Sequence, residues 1–166
     1  MTDTCKPYRV LFVCMGNICR SPAAEIIFRH RVGEAGLTDR IEIDSAGTIG
    51  YHAGNPPDPR MSETLSARGY EIAGSSRKIR ARDLEDFDLI LCADRDNLDD
   101  VRSLDPGGER HDRIHLITRY CIDREADHVP DPYYGGRRGF EEVADLVEDA
   151  CDGLLAELTG TSGPVR

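Results

Sequence analysis

The chain has 166 residues, of which 39% are hydrophobic and 31% charged, a composition typical of one soluble globular domain. Its formal net charge of −10 argues against a nucleic-acid-binding surface, which would be basic. No apolar run is long enough to predict a membrane span or a secretory signal, so we expect a cytoplasmic protein without membrane contact. The sequence leaves non-classical secretion open. The six cysteines form no paired zinc-binding pattern and are expected to be reduced.

We predict a single domain over residues 1–166, with a frayed tail at 160–166. Four short apolar or β-branched stretches indicate strands, at residues 9–14, 41–45, 88–93 and 114–117. Helical or loop segments separate these stretches, an alternation that is typical of a parallel sheet with right-handed crossovers. The predicted fold is therefore a flavodoxin-like, open, parallel four-stranded sheet with helices on both faces.

The first and last helices have visible limits in the sequence. For the first helix, Ser21 is the predicted N-cap, Pro22 takes the first helical position, and Gly36 lies at the expected end. For the last helix, apolar residues at helical spacing run from Phe140 onward, and Gly160 follows them. The apolar stripe of this last helix indicates a face that packs on the core.

The segment 14–21, CMGNICRS, connects the first strand to the first helix, at the edge where open parallel sheets bind ligands. Helix N-termini and successive loop amides hold phosphate-like anions. Gly16 lets the backbone approach an anion, and Asn17 tolerates the left-handed conformation that such a loop needs. Arg20 offers a planar fork for two oxygens. The positive field also favours the thiolate of Cys14, which is the nucleophilic form.

If Cys14 attacks phosphorus, the leaving oxygen needs a proton, and Asp131 is a candidate to supply it. The proline after Asp131 predicts an extended or turn conformation on a loop, where the two following tyrosines are expected to shield its carboxyl from water. Local sequence alone gives an ordinary Asp-Pro turn equal weight. It also leaves Asp123 and Asp127 as competing carboxylates.

Three motifs in this order resemble the low-molecular-weight protein tyrosine phosphatase family. They are CMGNICRS at 14–21, DSAGT at 44–48 and VPDPYYGG at 129–136. NPPDPR at 55–60 and FDLILC at 87–92 also fit the family pattern, so the resemblance covers most of the chain.

This resemblance implies a protein-tyrosine phosphatase that works through a phosphocysteine intermediate and needs no metal or other cofactor. Cys14 is then the nucleophile, and Arg20 binds the phosphate and stabilises the transition state. The family motif selects Asp131 as the general acid and base. The expected partners are phosphotyrosine-bearing proteins, with a tyrosine kinase as one candidate, and the expected oligomeric state is a monomer.

The same resemblance assigns the pocket and its supports. Asn17, Ser21 and Ser45 are expected to stabilise the loop by hydrogen bonds, and Ser21 also to donate one to the Cys14 sulfur. The resemblance suggests a reversible disulfide between Cys19 and Cys14 that protects the nucleophile; by residue type alone, Cys19 would be a small buried hydrophobe. The expected substrate-binding residues are Met15, Gly16, Asn17, Ile18, Cys19, Ser21, Tyr51, Tyr133 and Tyr134.

One departure from the family pattern falls near Ser75 and Ser76, where relatives often carry a histidine and this chain has none. We therefore expect the contact made by that histidine to be missing. Other histidines, at positions 52, 111, 115 and 128, show no metal-ligand spacing and are predicted to be surface or packing residues.

Several alternatives share parts of this pattern. Protein-arginine phosphatases of the family typically place threonine where this chain has Ile18. Thiol-dependent arsenate reductase needs a relay of further cysteines; Cys92 would fit one, but residue 99 is Asp and the next thiol is Cys121. From another class, a cysteine phosphocarrier of sugar transport has no need of an acid such as Asp131. A catalytically silent phosphotyrosine-binding module is disfavoured because nucleophile, arginine and acid are all present.

Overall fold

Four parallel strands form one sheet in the order β2-β1-β3-β4. The computed structural model describes residues 6–160, so Cys5 and the tail at 161–166 lie outside the described residues. The number, order along the chain and parallel pairing of the predicted strands are confirmed, with bounds that differ by at most two residues. The strands are β1 (Tyr8–Cys14), β2 (Ile41–Gly47), β3 (Leu89–Cys92) and β4 (Ile114–Leu116).

Five α-helices connect or follow these strands within residues 6–160. Asp58 caps the second helix by accepting a hydrogen bond from the Arg60 N–H at 2.8 Å, and Asp94 caps the fourth in the same way from the Asn97 N–H at 2.9 Å. The last helix ends at Gly160 in the left-handed conformation, as its sequence predicts. The helices are α1 (Arg20–Glu34), α2 (Pro59–Ala67), α3 (Asp83–Asp86), α4 (Arg95–Arg102) and α5 (Arg137–Thr159), with 3-10 turns at His111–Arg113 and Ile117–Tyr120.

The side chains of β1 alternate between two apolar clusters, one on each face of the sheet. Phe12 belongs to the cluster that α1 and α5 cover, where it meets the Phe28 ring edge-on at 5.8 Å between centroids. Leu11 belongs to the opposite cluster, with Leu84 from α3 and Leu98 from α4. Both faces of the sheet are therefore covered by helices, which confirms the predicted architecture.

The start of the first helix differs from the prediction. Helix α1 begins at Arg20, with Cys19 as its N-cap, and no side chain caps it. Ser21 therefore lies inside the first turn, fully buried, with its hydroxyl 3.0 Å from the Cys14 sulfur. The first amides of an uncapped helix need another acceptor, and the loop in front of α1 leaves room for an anion there.

The strand order places the end of β1 at a topological switch point, because the chain continues to β2 on one side of β1 and to β3 on the other. Ligands of open parallel sheets bind at this point, beyond the carboxyl ends of the strands. Cys14 is the last residue of β1. Within residues 6–160, no helix combines the length and apolar composition needed to cross a membrane.

Candidate active site

A cavity of about 350 Å³ opens beyond the carboxyl end of β1. It gathers residues from the loop after β1, the loop after β2 and the loop before α5, so it joins the CMGNICRS segment to the segment that carries Asp131. Seven of the nine predicted substrate-binding residues line it; the other two, Asn17 and Ser21, do not, and are hydrogen-bonded to each other behind the loop. The lining residues are Cys14, Met15, Gly16, Ile18, Cys19, Arg20, Ile49, Tyr51, His52, Asp131, Tyr133 and Tyr134.

Cys14 lines the floor of this cavity, and the residue is only 3% exposed. The Ser21 hydroxyl lies 3.0 Å from its sulfur, within hydrogen-bonding distance. This contact is the one expected from the sequence. A hydroxyl that donates to sulfur stabilises the thiolate both as an attacking group and as a leaving group.

The loop around the thiol is held in shape by Asn17, the one non-glycine residue within 6–160 with a positive φ, at 58°. Its side-chain Nδ2 donates to Ser21 Oγ at 2.8 Å and to Ser45 Oγ at 3.0 Å, as expected. Its Oδ1 accepts a hydrogen bond from the Arg77 backbone N–H at 3.0 Å, and Ser76 Oγ donates to the Gly16 carbonyl at 3.1 Å. The segment that lacks the expected histidine therefore still supports the loop, through a backbone amide and a serine.

Arg20 is 4% exposed, and two acceptors fix its guanidinium. Its Nη1 donates to Asp94 Oδ2 at 2.7 Å and to the Val129 carbonyl at 3.1 Å. Burial lowers the pKa of Arg20, but the Cys14 thiolate and the Asp94 carboxylate outweigh it, so the pKa lies above its usual value. The cation is therefore permanent and oriented. Neither acceptor is identified by the sequence reasoning; Asp94 offers only the weak signal of a carboxylate that directly follows a strand.

Asp131 approaches the other side of the guanidinium, with its Oδ2 3.8 Å from Arg20 Nη2. Its Oδ1 accepts a hydrogen bond from the Tyr133 N–H at 3.0 Å, which fixes the turn that the Asp-Pro pair predicts. The Asp131 side chain is still 41% exposed. The expected shielding by the two tyrosines is therefore incomplete, because Tyr134 points outward and is 94% exposed.

Aromatic side chains form the wall of the cavity, and one of them was not selected as a site residue in the sequence analysis. His52, predicted as a surface or packing residue, lines the cavity and packs edge-on against Tyr51, with ring centroids 4.8 Å apart. Its ring also lies 6.5 Å from that of Tyr133. The sequence analysis considered metal spacing alone and missed this position beside Tyr51. Ile49 also lines the cavity without having been predicted.

The NPPDPR segment connects the two loops that carry the chemical groups. The backbone N–H of Asp58 donates to the Ile18 carbonyl at 2.8 Å, in the loop around the thiol. Arg60 pairs with Asp58, donates to the Tyr133 carbonyl at 2.9 Å and lies 5.1 Å from the centre of the Tyr133 ring. This short stretch thus holds the position of the acid-bearing loop relative to the thiol-bearing loop.

We expect Asp94→Ser to lower kcat/KM for aryl phosphates by about tenfold, because Arg20 loses its charged acceptor. Serine keeps the capping of α4, so the helix should be retained. The matched control is Asp99→Ser, on the exposed side of the same helix, which should behave like the wild type. Steady-state kinetics with p-nitrophenyl phosphate measure kcat/KM for both variants. Equal values for Asp94→Ser and Asp99→Ser would contradict the role of Asp94.

One cavity, at the switch point of a parallel sheet, brings together a buried thiol, an oriented guanidinium and a carboxyl group. This arrangement is expected of a thiol-dependent phosphatase. The family model described as "Low molecular weight phosphotyrosine protein phosphatase" matches residues 9–162. The chain belongs to this family, whose named members are hydrolases.

Individual relatives agree with the family match. The chain is 45% identical over 152 residues to the low molecular weight protein-tyrosine-phosphatase of Streptomyces coelicolor. This alignment covers 90% of this chain and 92% of the relative. The crystal structure of a protein tyrosine phosphatase from Entamoeba histolytica superposes with a TM-score of 0.89 at 38% identity, over 94% of this chain and 99% of that one. A structure described as a Drosophila arginine phosphatase also matches, with a TM-score of 0.82 at 31% identity, over 93% of this chain and 98% of that one.

Proposed function

We propose that this protein is a protein-tyrosine phosphatase that hydrolyses aryl phosphate monoesters through a phosphocysteine intermediate. The observation that carries the proposal is the Cys14 sulfur at the floor of a cavity walled by Tyr51, His52 and Tyr133. A phosphate on an aromatic ring reaches such a floor while its ring packs against the wall. A phosphoserine side chain is too short to do so.

In the first step, the Cys14 thiolate attacks phosphorus, and the sulfur–phosphorus bond forms as the bond to the aryl oxygen breaks. Asp131 gives its proton to the departing oxygen. The charge that spreads over the three remaining oxygens meets the loop amides and Arg20, which Asp94 and Val129 already hold in place. No reorganisation of the guanidinium is then needed during the reaction.

In the second step, water attacks the phosphocysteine and the thiolate leaves. Asp131, now ionised, takes the proton from that water, which is the reverse of its first role. The exposure of Asp131 suits this exchange because water reaches its carboxyl directly. The Ser21 hydroxyl near the sulfur stabilises the thiolate as it departs.

The substrates that follow from this function are phosphotyrosine-bearing proteins, with a tyrosine kinase as one candidate. We place the enzyme in the cytoplasm, acting as a monomer. The second candidate function is a protein-arginine phosphatase. Its support is the match to the structure described as a Drosophila arginine phosphatase. Ile18, which lines the cavity, is the position that argues for tyrosine.

A panel of phosphopeptides tests the substrate class. We expect the wild type to hydrolyse a phosphotyrosine peptide at least about 100-fold faster, in kcat/KM, than matched phosphoserine and phosphoarginine peptides. Ile18→Thr should raise the ratio of phosphoarginine to phosphotyrosine hydrolysis, whereas Ile49→Thr, at another position of the cavity wall, should not. A wild type that prefers phosphoarginine would replace this proposal with the second one.

We also propose that Cys19 protects Cys14 by a reversible disulfide. Peroxide converts the Cys14 thiolate to a sulfenic acid, and the Cys19 sulfur then attacks it and expels hydroxide. Burial, followed by the nearby Asp58 carboxylate, raises the pKa of the Cys19 thiol to about 12. The attacking thiolate of Cys19 is therefore scarce at neutral pH.

This raised pKa of Cys19 predicts a pH dependence of the disulfide. Below a pKa of about 12 the thiolate fraction of Cys19 grows about tenfold for each pH unit, so bridging should increase from pH 6.5 to pH 8.5. Mass spectrometry after mild peroxide measures the 14–19 bridge against sulfinic acid at Cys14. Cys19→Ser should give only the sulfinic product. Sulfinic acid without a bridge in the wild type at both pH values would contradict the protective role.

A further inference from the structure

We propose that Glu25, a buried carboxylate outside the cavity, is a positioning residue for the loop around the thiol. Glu25 accepts a hydrogen bond from the Ser45 hydroxyl, so the Ser45 oxygen is left to accept one from the Asn17 side chain. The inference rests on the proposed phosphatase function. It concerns a residue that none of the chemical steps uses and that the sequence analysis did not select.

The spacing of α1 places Glu25 for this role. One face of α1, the face turned to β2, carries three polar residues at intervals of four: Ser21, Glu25 and Arg29. The first of them contacts the thiol, and the second accepts a hydrogen bond from Ser45 Oγ on β2. The third donates to Glu25 Oε2 at 2.7 Å and to the Ile43 carbonyl at 3.1 Å.

The carboxylate of Glu25 is enclosed, because the residue is only 8% exposed. Gly74, at φ +103°, covers it: a Cβ at this glycine would lie 3.8 Å from each carboxylate oxygen. The gap that Glu25, Asn17, Ser45 and Gly74 help to line is too small for a water molecule. With Glu25 in place, this gap therefore offers Ser45 no water as an alternative acceptor. A buried carboxylate is costly unless it is paired and hydrogen-bonded, and both conditions are met here.

The hydrogens of this network can be assigned one after another. A serine hydroxyl has a single hydrogen, and that of Ser45 points to the Glu25 carboxylate, which only accepts. The Ser45 oxygen therefore accepts from Asn17 Nδ2. The other end of the Asn17 amide accepts from the Arg77 N–H, so a flipped amide would bring two donors together. Glu25 and Arg77 thus fix the amide from opposite sides.

The same assignment sets the direction of the last hydrogen bond in the chain. Since Asn17 Nδ2 also donates to Ser21 Oγ, the one hydrogen of Ser21 is free for another acceptor. The Cys14 sulfur lies 3.0 Å away, and the alternative acceptor, the Ala46 carbonyl, lies at 3.5 Å. When Cys14 is the thiolate, its sulfur carries no hydrogen and can only accept, so the network that begins at Glu25 then ends with Ser21 donating to the sulfur. It also holds Asn17 in its left-handed conformation, which an unrestrained asparagine leaves readily.

Two substitutions of Glu25 separate hydrogen bonding from charge and volume. Glu25→Met keeps a side chain of similar length but removes the acceptor, and we expect kcat for p-nitrophenyl phosphate to fall about tenfold with KM within about threefold. Glu25→Gln keeps a carbonyl oxygen for Ser45 and should retain at least about a third of the wild-type kcat. Glu34→Met, the same change on the exposed side of α1, is the matched control and should match the wild type.

A double-mutant cycle shows whether Glu25 acts through Ser45. If it does, Glu25→Met in a Ser45→Ala background should cost less than about threefold, because the hydrogen bond is already absent. Alkylation of Cys14 by iodoacetamide at fixed pH provides a readout that needs no turnover, and it should slow in Glu25→Met and recover in Glu25→Gln. Circular dichroism establishes that each variant is folded. Should Glu25→Met not fold, Glu25→Asp, which withdraws the carboxylate by one methylene, should show the same loss.

Three outcomes would overturn the positioning role: wild-type kcat and alkylation in Glu25→Met, equal losses in the Met and Gln variants, or losses that multiply in the double mutant. Failure of the phosphatase proposal is distinguishable, because the wild type itself would then not hydrolyse p-nitrophenyl phosphate. The alkylation rates would still test the effect of Glu25 on the thiol.

Discussion

Replacing Cys14 with serine is expected to lower the hydrolysis of p-nitrophenyl phosphate by at least about 10⁴-fold. A serine hydroxyl at this floor stays protonated and is a poor nucleophile without a neighbouring base. Arg20 and the loop amides remain in place, so Cys14→Ser should still bind a phosphotyrosine peptide. Calorimetry measures this binding, and the dissociation constant should be no smaller than the KM of the wild type, because an accumulating phosphocysteine lowers KM.

The control for this prediction is Cys121→Ser, a thiol outside the cavity that is only partly buried. It should retain wild-type turnover. Measurable turnover by Cys14→Ser at more than about one hundredth of the wild-type rate would show that the sulfur is not the nucleophile, and the proposed mechanism would have to be abandoned.

Replacing Asp131 with asparagine is expected to lower kcat on a phosphotyrosine peptide by about 10²–10⁴-fold, the usual contribution of a general acid. Asparagine keeps an Oδ1 acceptor for the Tyr133 N–H, so the turn should persist; alanine removes both functions. The loss should be smaller with p-nitrophenyl phosphate, because nitrophenolate leaves more easily without a proton than tyrosine does.

Asp127→Asn is the matched control for the acid, since Asp127 is an exposed carboxylate four residues earlier that pairs with His128 at 2.7 Å. We expect wild-type rates for it on both substrates. Equal losses on both substrates for Asp131→Asn would indicate that Asp131 positions the substrate or Arg20 instead of donating a proton.

The sequence allows the fold and the reacting groups to be predicted because each has a local signal. Strand β1 contains the apolar run 10–13, and the cysteine, glycine and arginine that follow this run fall at fixed spacing. The supports are harder to predict because their signals are distributed along the chain. Asp94 contacts Arg20 across 74 residues, and the Val129 acceptor is a backbone carbonyl that residue type does not reveal. In the sequence, Glu25 cannot be distinguished from the other acidic helix residues. Its role becomes visible only in the fold, which places Ser45 beside it.

The misplaced start of α1 has a related physical reason. Serine before proline is a strong sequence signal for a helix N-cap, so a prediction from local sequence assigns the Ser21 hydroxyl to capping. Local sequence does not reveal that tertiary contacts compete for the same hydroxyl. In the folded chain, Ser21 contacts the Cys14 sulfur and accepts a hydrogen bond from Asn17, and the helix begins two residues earlier than predicted, with no side chain capping it. A rule for isolated helices fails here because tertiary contacts claim the side chain.

The contrast in burial between the floor and the wall of the cavity has a consequence for how such an enzyme diverges. Cys14, Arg20 and Asn17 are almost inaccessible, whereas the side chains of Tyr51 and Tyr134 are largely exposed to solvent. Substitutions at the outer rings cost little stability, since few contacts depend on them. Related proteins can therefore change their protein substrates by substitutions at exposed positions such as Tyr51 and Tyr134. The buried residues Cys14, Arg20 and Asn17 can stay the same.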